Sequence, residues 1–336
     1  MNILRKLTNT SLILIFLVIL AGSIVRMSGS GMGCPDWPKC FGYLIPPTQK
    51  KQVSWQENRL FVAGQMIIKN EQLLVAKHSF KSDKQFNSAN WQVYDKHNYA
   101  SFKVHHTWIE YINRLIGALS GIPILLLFIF SIVYRNQAPS IKWFSFFTLI
   151  MLGFEAWLGK KVVDGNLIPG QISLHMFGAI CIVTLLIIQK VKLSPTSIRI
   201  PQPLKALTIL AMLFSLVQIY LGVQVREEVD VLLNGTERSM VVEQLSHAFE
   251  WHRIFALSVI LLHAALLYFN HQTIQLFWYK IMAGVVLLEF TLGIGLSYLN
   301  LTPWMQPLHL CLAILLFGIQ CFVVLKHSIK PAKAFS

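Results

Sequence analysis

A chain of 336 residues in which 54% of side chains are hydrophobic and only 13% charged, at a mean hydropathy of +0.55, has too little polar surface to cover a soluble globule of its size. It reads as a membrane protein, and soluble-enzyme classes are excluded. The formal charge of +14 needs no nucleic acid, because lysines and arginines in loops set membrane topology and attract anionic lipid headgroups.

In chain order, apolar runs of bilayer length are expected at about 8–28, 106–134, 142–163, 171–190, 204–225, 247–269, 277–299 and 306–326. The first follows Arg5 and Lys6 as a signal peptide would, but it is long and no small-residue cleavage site follows it cleanly, so it reads as a retained helix. A long segment, 29–105, separates the first two runs. With the N-terminus inside, Arg5, Lys6, Arg135, Lys142, Lys190, Lys192, Arg199, Lys205, Lys280, Lys326, Lys330 and Lys333 fall on the cytoplasmic side. The short outer connections then carry only Lys160, Lys161, Arg226 and Arg238; the long lysine-containing segment can lie outside, since long loops cross largely regardless of charge.

The chain repeats itself. Glu155-x-x-Leu158-Gly159, Asn166-Leu167-x-Pro169 and Leu174-His175 recur as Glu289-x-x-Leu292-Gly293, Asn300-Leu301-x-Pro303 and Leu308-His309, every pair offset by 134 positions (289 minus 155). Earlier in each half, Ile19-x-x-Gly22-x-x-Val25-Arg26 matches Ile219-x-x-Gly222-x-x-Val225-Arg226, and Asn113-Arg114 matches His252-Arg253. Four spans per copy is an even number, so both copies have one orientation and are related by an axis along the membrane normal. The expected fold is an all-α polytopic membrane protein of about eight transmembrane helices, built as two tandem parallel four-helix bundles, 1–200 with its long outer loop and 201–336.

Cys34 and Cys40 lie just beyond the outer end of the first span in a Gly- and Pro-rich turn, where an oxidising space permits a disulfide; a metal pair or two free thiols are the alternatives. Cys181, Cys311 and Cys321 fall inside spans and read as small packing residues.

Ionisable residues inside a bilayer are costly and mark function. The second span opens with His105, His106, Glu110, Asn113 and Arg114; the fourth has His175; the sixth has His247, Glu250, His252 and Arg253; the eighth has His309. His175, His252 and His309 are expected at one depth, a turn or two below the outer surface. Two histidines on facing helices of a bundle can hold a haem iron by both axial positions, and His252 with His309 is the candidate pair, Arg253 being suited to a propionate. His263 and His271 are expected to pack or hydrogen-bond, and Glu155 and Glu289 to make a shared interhelical hydrogen bond. Glu110 has Phe249 at the aligned position, as expected if one copy kept a catalytic task and the other became support.

Taken together, Gly29-Ser30-Gly31-Met32-Gly33-Cys34-Pro35-Asp36-Trp37-Pro38-x-Cys40, Glu110-Tyr111-x-Asn113-Arg114, Leu221-Gly222-x-Gln224-Val225-Arg226-Glu227, Trp251-His252-Arg253 and Leu308-His309 resemble the haem A synthases of cytochrome oxidase biogenesis, over nearly all eight spans. The resemblance implies oxidation of the C8 methyl of haem O, through hydroxylated intermediates, to the formyl of haem A. It implies a b-type haem on His252 and His309 in the C-terminal half, and a site for haem O as substrate and haem A as product in the N-terminal half, with His175 one ligand there, Glu110 the essential glutamate, and Cys34 and Cys40 the outer-loop pair. The implied setting is a bacterial plasma (inner) membrane with both termini cytoplasmic and the haem sites toward the outer side. The implied partners are haem O delivered by haem O synthase, membrane lipid, and an electron donor or acceptor, with a homo-oligomer as one arrangement.

One position departs from the family pattern: Asn113 stands where many members have the second N-terminal haem ligand, a histidine. His106, four residues before Glu110 and seven before Asn113 on the same helical face, is the local candidate to replace it, with Asn113 and Arg114 lining the substrate site. The rival reading is a di-haem b-type electron-transfer cytochrome that modifies nothing; it explains the histidines and the duplication but not a glutamate and a cysteine pair in the first half only. A transporter with parallel repeats would better suit polar residues at mid-membrane.

Overall fold

The computed structural model describes residues 1–164, 170–194, 196–233 and 235–328. The Asn166-Leu167-x-Pro169 part of the repeat, and Lys330 and Lys333, lie outside the described residues. Nine α-helices occur among the described residues: α1 Asn2–Met27, α2 Val104–Val133, α3 Pro139–Asp164, α4 Gln171–Lys192, α5 Gln202–Leu232, the short α6 Arg238–Val241, α7 His247–Gln272, α8 Phe277–Tyr298 and α9 Met305–Ser328. Eight of them, all but α6, are long and apolar enough to cross a membrane, and they match the eight expected runs. Large apolar side chains such as Ile13, Ile122, Leu261 and Leu287 stand exposed along them, as lipid-facing helices require, and the helical ladder satisfies the backbone internally. The protein is a multi-pass membrane protein.

The chain forms two compact units, one of Met1–Leu20, Leu119–Leu152 and Met176–Ser336 and the other of Ala21–Ala118 and Gly153–His175. Within the first, α5 packs on α7 and α9, and α8 packs on the same two, closing a ring of four helices. Buried polar side chains cross this ring. Thr208 of α5 and Tyr279 of α8 share a 2.9 Å hydroxyl contact. The Gln320 Nε2 of α9 lies 3.0 Å from Ser215 Oγ of α5 and 2.9 Å from His263 Nε2 of α7. Because His263 Nδ1 is 2.7 Å from the Val259 carbonyl, which can only accept, Nδ1 donates and Nε2 takes the Gln320 amide proton. His263 is therefore an interhelical hydrogen-bonding residue. At the aligned positions the first half has Ile15, Ile124 and Leu186, all buried in the apolar core of this unit.

In the second unit the segment expected only as a long loop is folded in its own right. It has five short strands, β1 Leu60–Phe61, β2 Met66–Lys69, β3 Gln72–Ala76, β4 Phe80–Lys81 and β5 Trp91–Val93. β1 pairs antiparallel with β4, and β2, β3 and β5 make a three-stranded antiparallel sheet in that order. The β2–β3 connection is Asn70-Glu71, both at positive φ (50° and 59°), the two-residue turn whose twist matches that of the strands it joins. Phe61, Ile67, Ala76 and Trp91 form one small core, with the Phe61 and Trp91 rings edge-to-face at 5.0 Å; Phe41, Met66, Leu73 and Val75 close over the cysteine turn in another. Gly42 must be glycine, since it sits at φ +79° and a Cβ there would lie 2.3 Å from the Gly64 carbonyl oxygen.

Candidate functional site

Within the first unit, α7 presents His252 and α9 presents His309 with ring centroids 6.3 Å apart and planes at 79°. A metal–imidazole bond is about 2 Å long and the nitrogen about 1.2 Å from the ring centroid, so two rings on opposite faces of one iron have centroids about 6.4 Å apart. The observed centroid separation matches that value. Each ring is seated against a glycine on a neighbouring helix: a Cβ at Gly222 of α5 would lie 3.1 Å from His252 Cε1, and one at Gly293 of α8 would lie 3.6 Å from His309 Cε1. Gln218, one turn before Gly222, donates its amide to the His252 carbonyl at 3.0 Å, with His252 Nε2 a further 3.4 Å contact. His309 Nδ1 lies 2.9 Å from Glu289 Oε2, one turn before Gly293.

The second unit repeats half of this pattern. His175 Nδ1 of α4 lies 2.6 Å from Glu155 Oε2 of α3, and a Cβ at Gly159 would be 3.9 Å from His175 Cε1. On α2, Asn113 stands where α7 has His252. Its carboxamide oxygen is buried without a hydrogen-bond partner among the described residues, and a Cβ at Gly22 of α1 would be 3.7 Å from it. The glycine seat is kept although the ring is gone.

Glu110 is 3% exposed and fully engaged. Its Oε2 accepts from the Cys34 backbone N–H at 2.8 Å and its Oε1 from Arg114 at 2.5 Å. Arg114 also donates to the carbonyls of Asp36 (2.7 Å), Lys39 (3.0 Å) and Cys34 (3.3 Å). One guanidinium thus ties the catalytic candidate to the cysteine turn, and Cys34 and Cys40 are joined in a disulfide, which resolves the three alternatives left open by the sequence. The turn is pressed onto α2: a Cβ at Gly33 would lie 2.4 Å from the His106 carbonyl oxygen, and Thr107 Oγ1 donates to the Gly33 carbonyl at 2.8 Å. Asp36 Oδ2 accepts from the Gly42 N–H at 2.9 Å, and burial pushes the Asp36 carboxyl above the usual carboxylate range despite that bond and the nearby Arg114. The folded turn continues to α3 through Lys96, 3.1 Å from Asp164, which Lys160 also reaches at 2.6 Å.

Of the remaining candidates, His106 lies in the first turn of α2 with its ring edge-to-face on His105 at 4.4 Å, and Arg253 is exposed with its guanidinium 5.4 Å from the Phe249 ring centroid. Three sets of side chains are brought together: His252 with His309, Gln218 and Glu289; His175 with Glu155; and Glu110 with Arg114 and the disulfide turn. Glu155 and Glu289, expected to share an interhelical hydrogen bond, each stand at ion-pair distance from a site histidine on another helix. The four glycines beside His252, His309, His175 and Asn113 each lie inside a repeated motif, but pattern reading gave them no role.

The chain has named relatives. It is 26% identical over 195 residues to a protein named heme A synthase from Shewanella oneidensis, a match covering 58% of this chain and 47% of that one. The chain therefore spans about half the length of that relative. Proteins of the same name from Bacillus cereus (strain AH187) and Bacillus mycoides (strain KBAB4) are 23% and 22% identical over 330 residues, covering 93% of this chain and 89% of each of them. The model of the COX15-CtaA family, described as cytochrome oxidase assembly protein, matches residues 5–67 and 61–321. With that match running through nearly every helix that carries the site, the chain belongs to the COX15-CtaA family of cytochrome oxidase assembly proteins.

Proposed function

We propose that the protein is a haem A synthase, an oxidoreductase that converts the C8 methyl of haem O to the formyl of haem A. The observation that carries this reading is the inequality of two related sites within one family member. One has a histidine pair at the spacing of two axial ligands, and the other has a single histidine, an asparagine and a buried glutamate under a disulfide-closed turn.

The halves, 1–200 and 201–336, then divide the work. His252 and His309 hold a b-type haem in the C-terminal half, with Arg253 at the exposed edge for a propionate. His175 holds the substrate in the N-terminal half, and Asn113 and Arg114 line that site. Iron porphyrin, when bound, supplies the one-electron chemistry that side chains lack. Glu110, out of water and kept within reach of its helix by Arg114, is the group that takes or returns a proton as the methyl is oxidised. His106 is the candidate second ligand. It is seven residues and about 10 Å along the helix from Asn113, so it serves only a substrate held closer to the outer surface. The distribution of basic residues favours both termini on the cytoplasmic side and the histidines toward the outer side, and the family relationship favours a bacterial plasma membrane with haem O arriving from its synthase.

Coexpression with a supply of haem O, followed by chromatography of the extracted haem, tests the reading. The enzyme produces haem A, and Glu110→Ala abolishes it while leaving the His252/His309 haem in place. A folded protein that carries haem b yet never yields haem A is instead the di-haem electron-transfer cytochrome. For His106→Ala, an unchanged spectrum of the substrate haem excludes it as a ligand.

A further inference from the structure

We infer that Glu155 and Glu289 are positioning residues for the haem-ligating histidines of helices α4 and α9, each acting with the glycine one turn later as a two-point seat for one imidazole. The inference rests on the proposed haem reading and goes beyond it, to groups that touch neither iron nor substrate.

Three observations support it. First, the geometry occurs twice. Glu155 Oε2 lies 2.6 Å from His175 Nδ1 while Gly159 faces the Cε1 of the same ring at 3.9 Å, and Glu289 Oε2 lies 2.9 Å from His309 Nδ1 while Gly293 faces its Cε1 at 3.6 Å. A glutamate and a glycine four residues apart sit on one helical face, so the carboxylate meets the Nδ1 edge of the ring where the missing side chain leaves room for the ring body.

Second, the arrangement is particular to these two histidines. His252 is in no ion pair with a carboxylate among the described residues: the Gln218 amide and Gly222 lie against it, and its Nδ1 has no hydrogen-bond partner among the described residues. In the C-terminal pair the Nδ1 of His309 therefore meets a carboxylate, whereas the Nδ1 of His252 meets no partner among the described residues.

Third, Glu155 is buried and Glu289 partly buried, and in each the other oxygen, Oε1, is out of solvent with no hydrogen-bond partner among the described residues. A buried carboxylate is expensive unless it meets a donor, and the donor offered to each is a histidine Nδ1–H. Neither Nδ1–H is yet aimed squarely enough at its oxygen to make a well-aligned hydrogen bond. Hydrogen bonds of unliganded sites are often poorly aligned and tighten only in the loaded complex. An acceptor at Nδ1 fixes the tautomer that leaves the Nε2 lone pair for metal, orients the ring and makes it a stronger donor; loss of such a partner typically weakens metal retention about 10- to 100-fold.

The experiment uses full-length protein purified with its haem and compares wild type, Glu289→Gln, Glu289→Leu and His309→Ala. Readouts are haem per protein, the optical and electron-paramagnetic-resonance spectra, and the midpoint potential, with thermal melting of each haem-free protein as the check on folding. Glu289→Gln keeps an acceptor but removes the charge, and is expected to bind haem with a raised midpoint potential. Glu289→Leu removes the acceptor and is expected to lose haem about 10- to 100-fold more readily. Glu155→Gln and Glu155→Leu repeat the comparison on the substrate haem. The inference is overturned if haem retention, spectra and potential in both Glu289 variants equal wild type. It is also overturned if the variants destabilise haem-free protein equally with and without His309, which marks a purely structural glutamate. If instead His309→Ala binds haem as wild type does, the underlying haem-ligand reading has failed, an outcome the glutamate variants alone would not produce.

Discussion

Gly222→Ala sets two effects of opposite sign against each other. A Cβ at this position would lie 3.1 Å from Cε1, 3.6 Å from Nδ1 and 3.9 Å from Nε2 of His252. Carbon contacts are comfortable at about 3.5–4.0 Å, so the imidazole must retreat by roughly half an ångström. Overpacking of this kind costs about 1–3 kcal/mol. At about 1.4 kcal/mol per factor of ten, haem held between His252 and His309 should bind roughly 5- to 150-fold more weakly. Without haem the ring is free to move, and replacing a helical glycine with alanine gains up to about 1 kcal/mol. The haem-free variant should therefore melt slightly above wild type while the loaded variant loses haem faster. Gly293→Ala is the control, because its Cβ would sit at 3.6 Å from His309 Cε1, an ordinary contact. Haem dissociation to an apo-globin acceptor, together with thermal melts of both forms in detergent, measures the effect. If Gly222→Ala keeps haem as wild type does while Gly293→Ala loses it, the geometric argument for the ring seats is wrong.

Arg114→Ala should destabilise the folded turn by about 3–5 kcal/mol, because it strands the buried Glu110 carboxylate, whereas Arg114→Ala combined with Glu110→Gln should cost clearly less; denaturant titration of the full chain compares them, and equal losses would refute the ion-pair account. Asn113→His restores to the first half the ligand set of the second, and should convert the substrate-haem spectrum to that of a bis-histidine low-spin iron; an unchanged spectrum would mean that His175 and position 113 do not share a haem. The folded state holds the Asp36 proton more tightly than the unfolded chain does. Its contribution to stability is therefore full below the ordinary carboxylate pKa and lost as pH rises through the raised one, so over that window wild-type stability should fall relative to Asp36→Asn. Parallel pH profiles of the two proteins would contradict this.

The spans were legible because bilayer thickness imposes a length and an apolar composition that a single sequence displays directly, and the eight observed helices follow the expected runs. The offset of 134 residues marked Glu155, Gly159 and His175 as one set with Glu289, Gly293 and His309, but an offset cannot say which side chains meet. The contact of Glu289 with His309 depends on the phase of α8 against α9, which is fixed by packing between helices far apart in sequence. Glycines are harder still, since the function of Gly222 is the space it leaves beside His252. The strands between residues 60 and 93 escaped for a different reason: each is two to five residues long, too short for period-two alternation to declare itself amid lysines and polar residues. The Met66–Lys69 and Gln72–Ala76 runs around Asn70-Glu71 were the one usable hairpin signal. Arg114, expected to line the substrate site, also holds Glu110 four residues away and the disulfide turn through hydrogen bonds to residues 75 to 80 positions away, a distance over which sequence patterns are silent.

The contact of Gln320 with Ser215 and His263 also bears on how the two copies could diverge. Each partner alone would be an unsatisfied polar group among lipid-facing helices, whereas the aligned Ile15, Ile124 and Leu186 are content in hydrocarbon. Passage from one set to the other by single substitutions crosses states worse than either end. Loss of any one member of the polar set leaves its partners unsatisfied, so this set pins the helix register of the second copy more tightly than the apolar set pins that of the first.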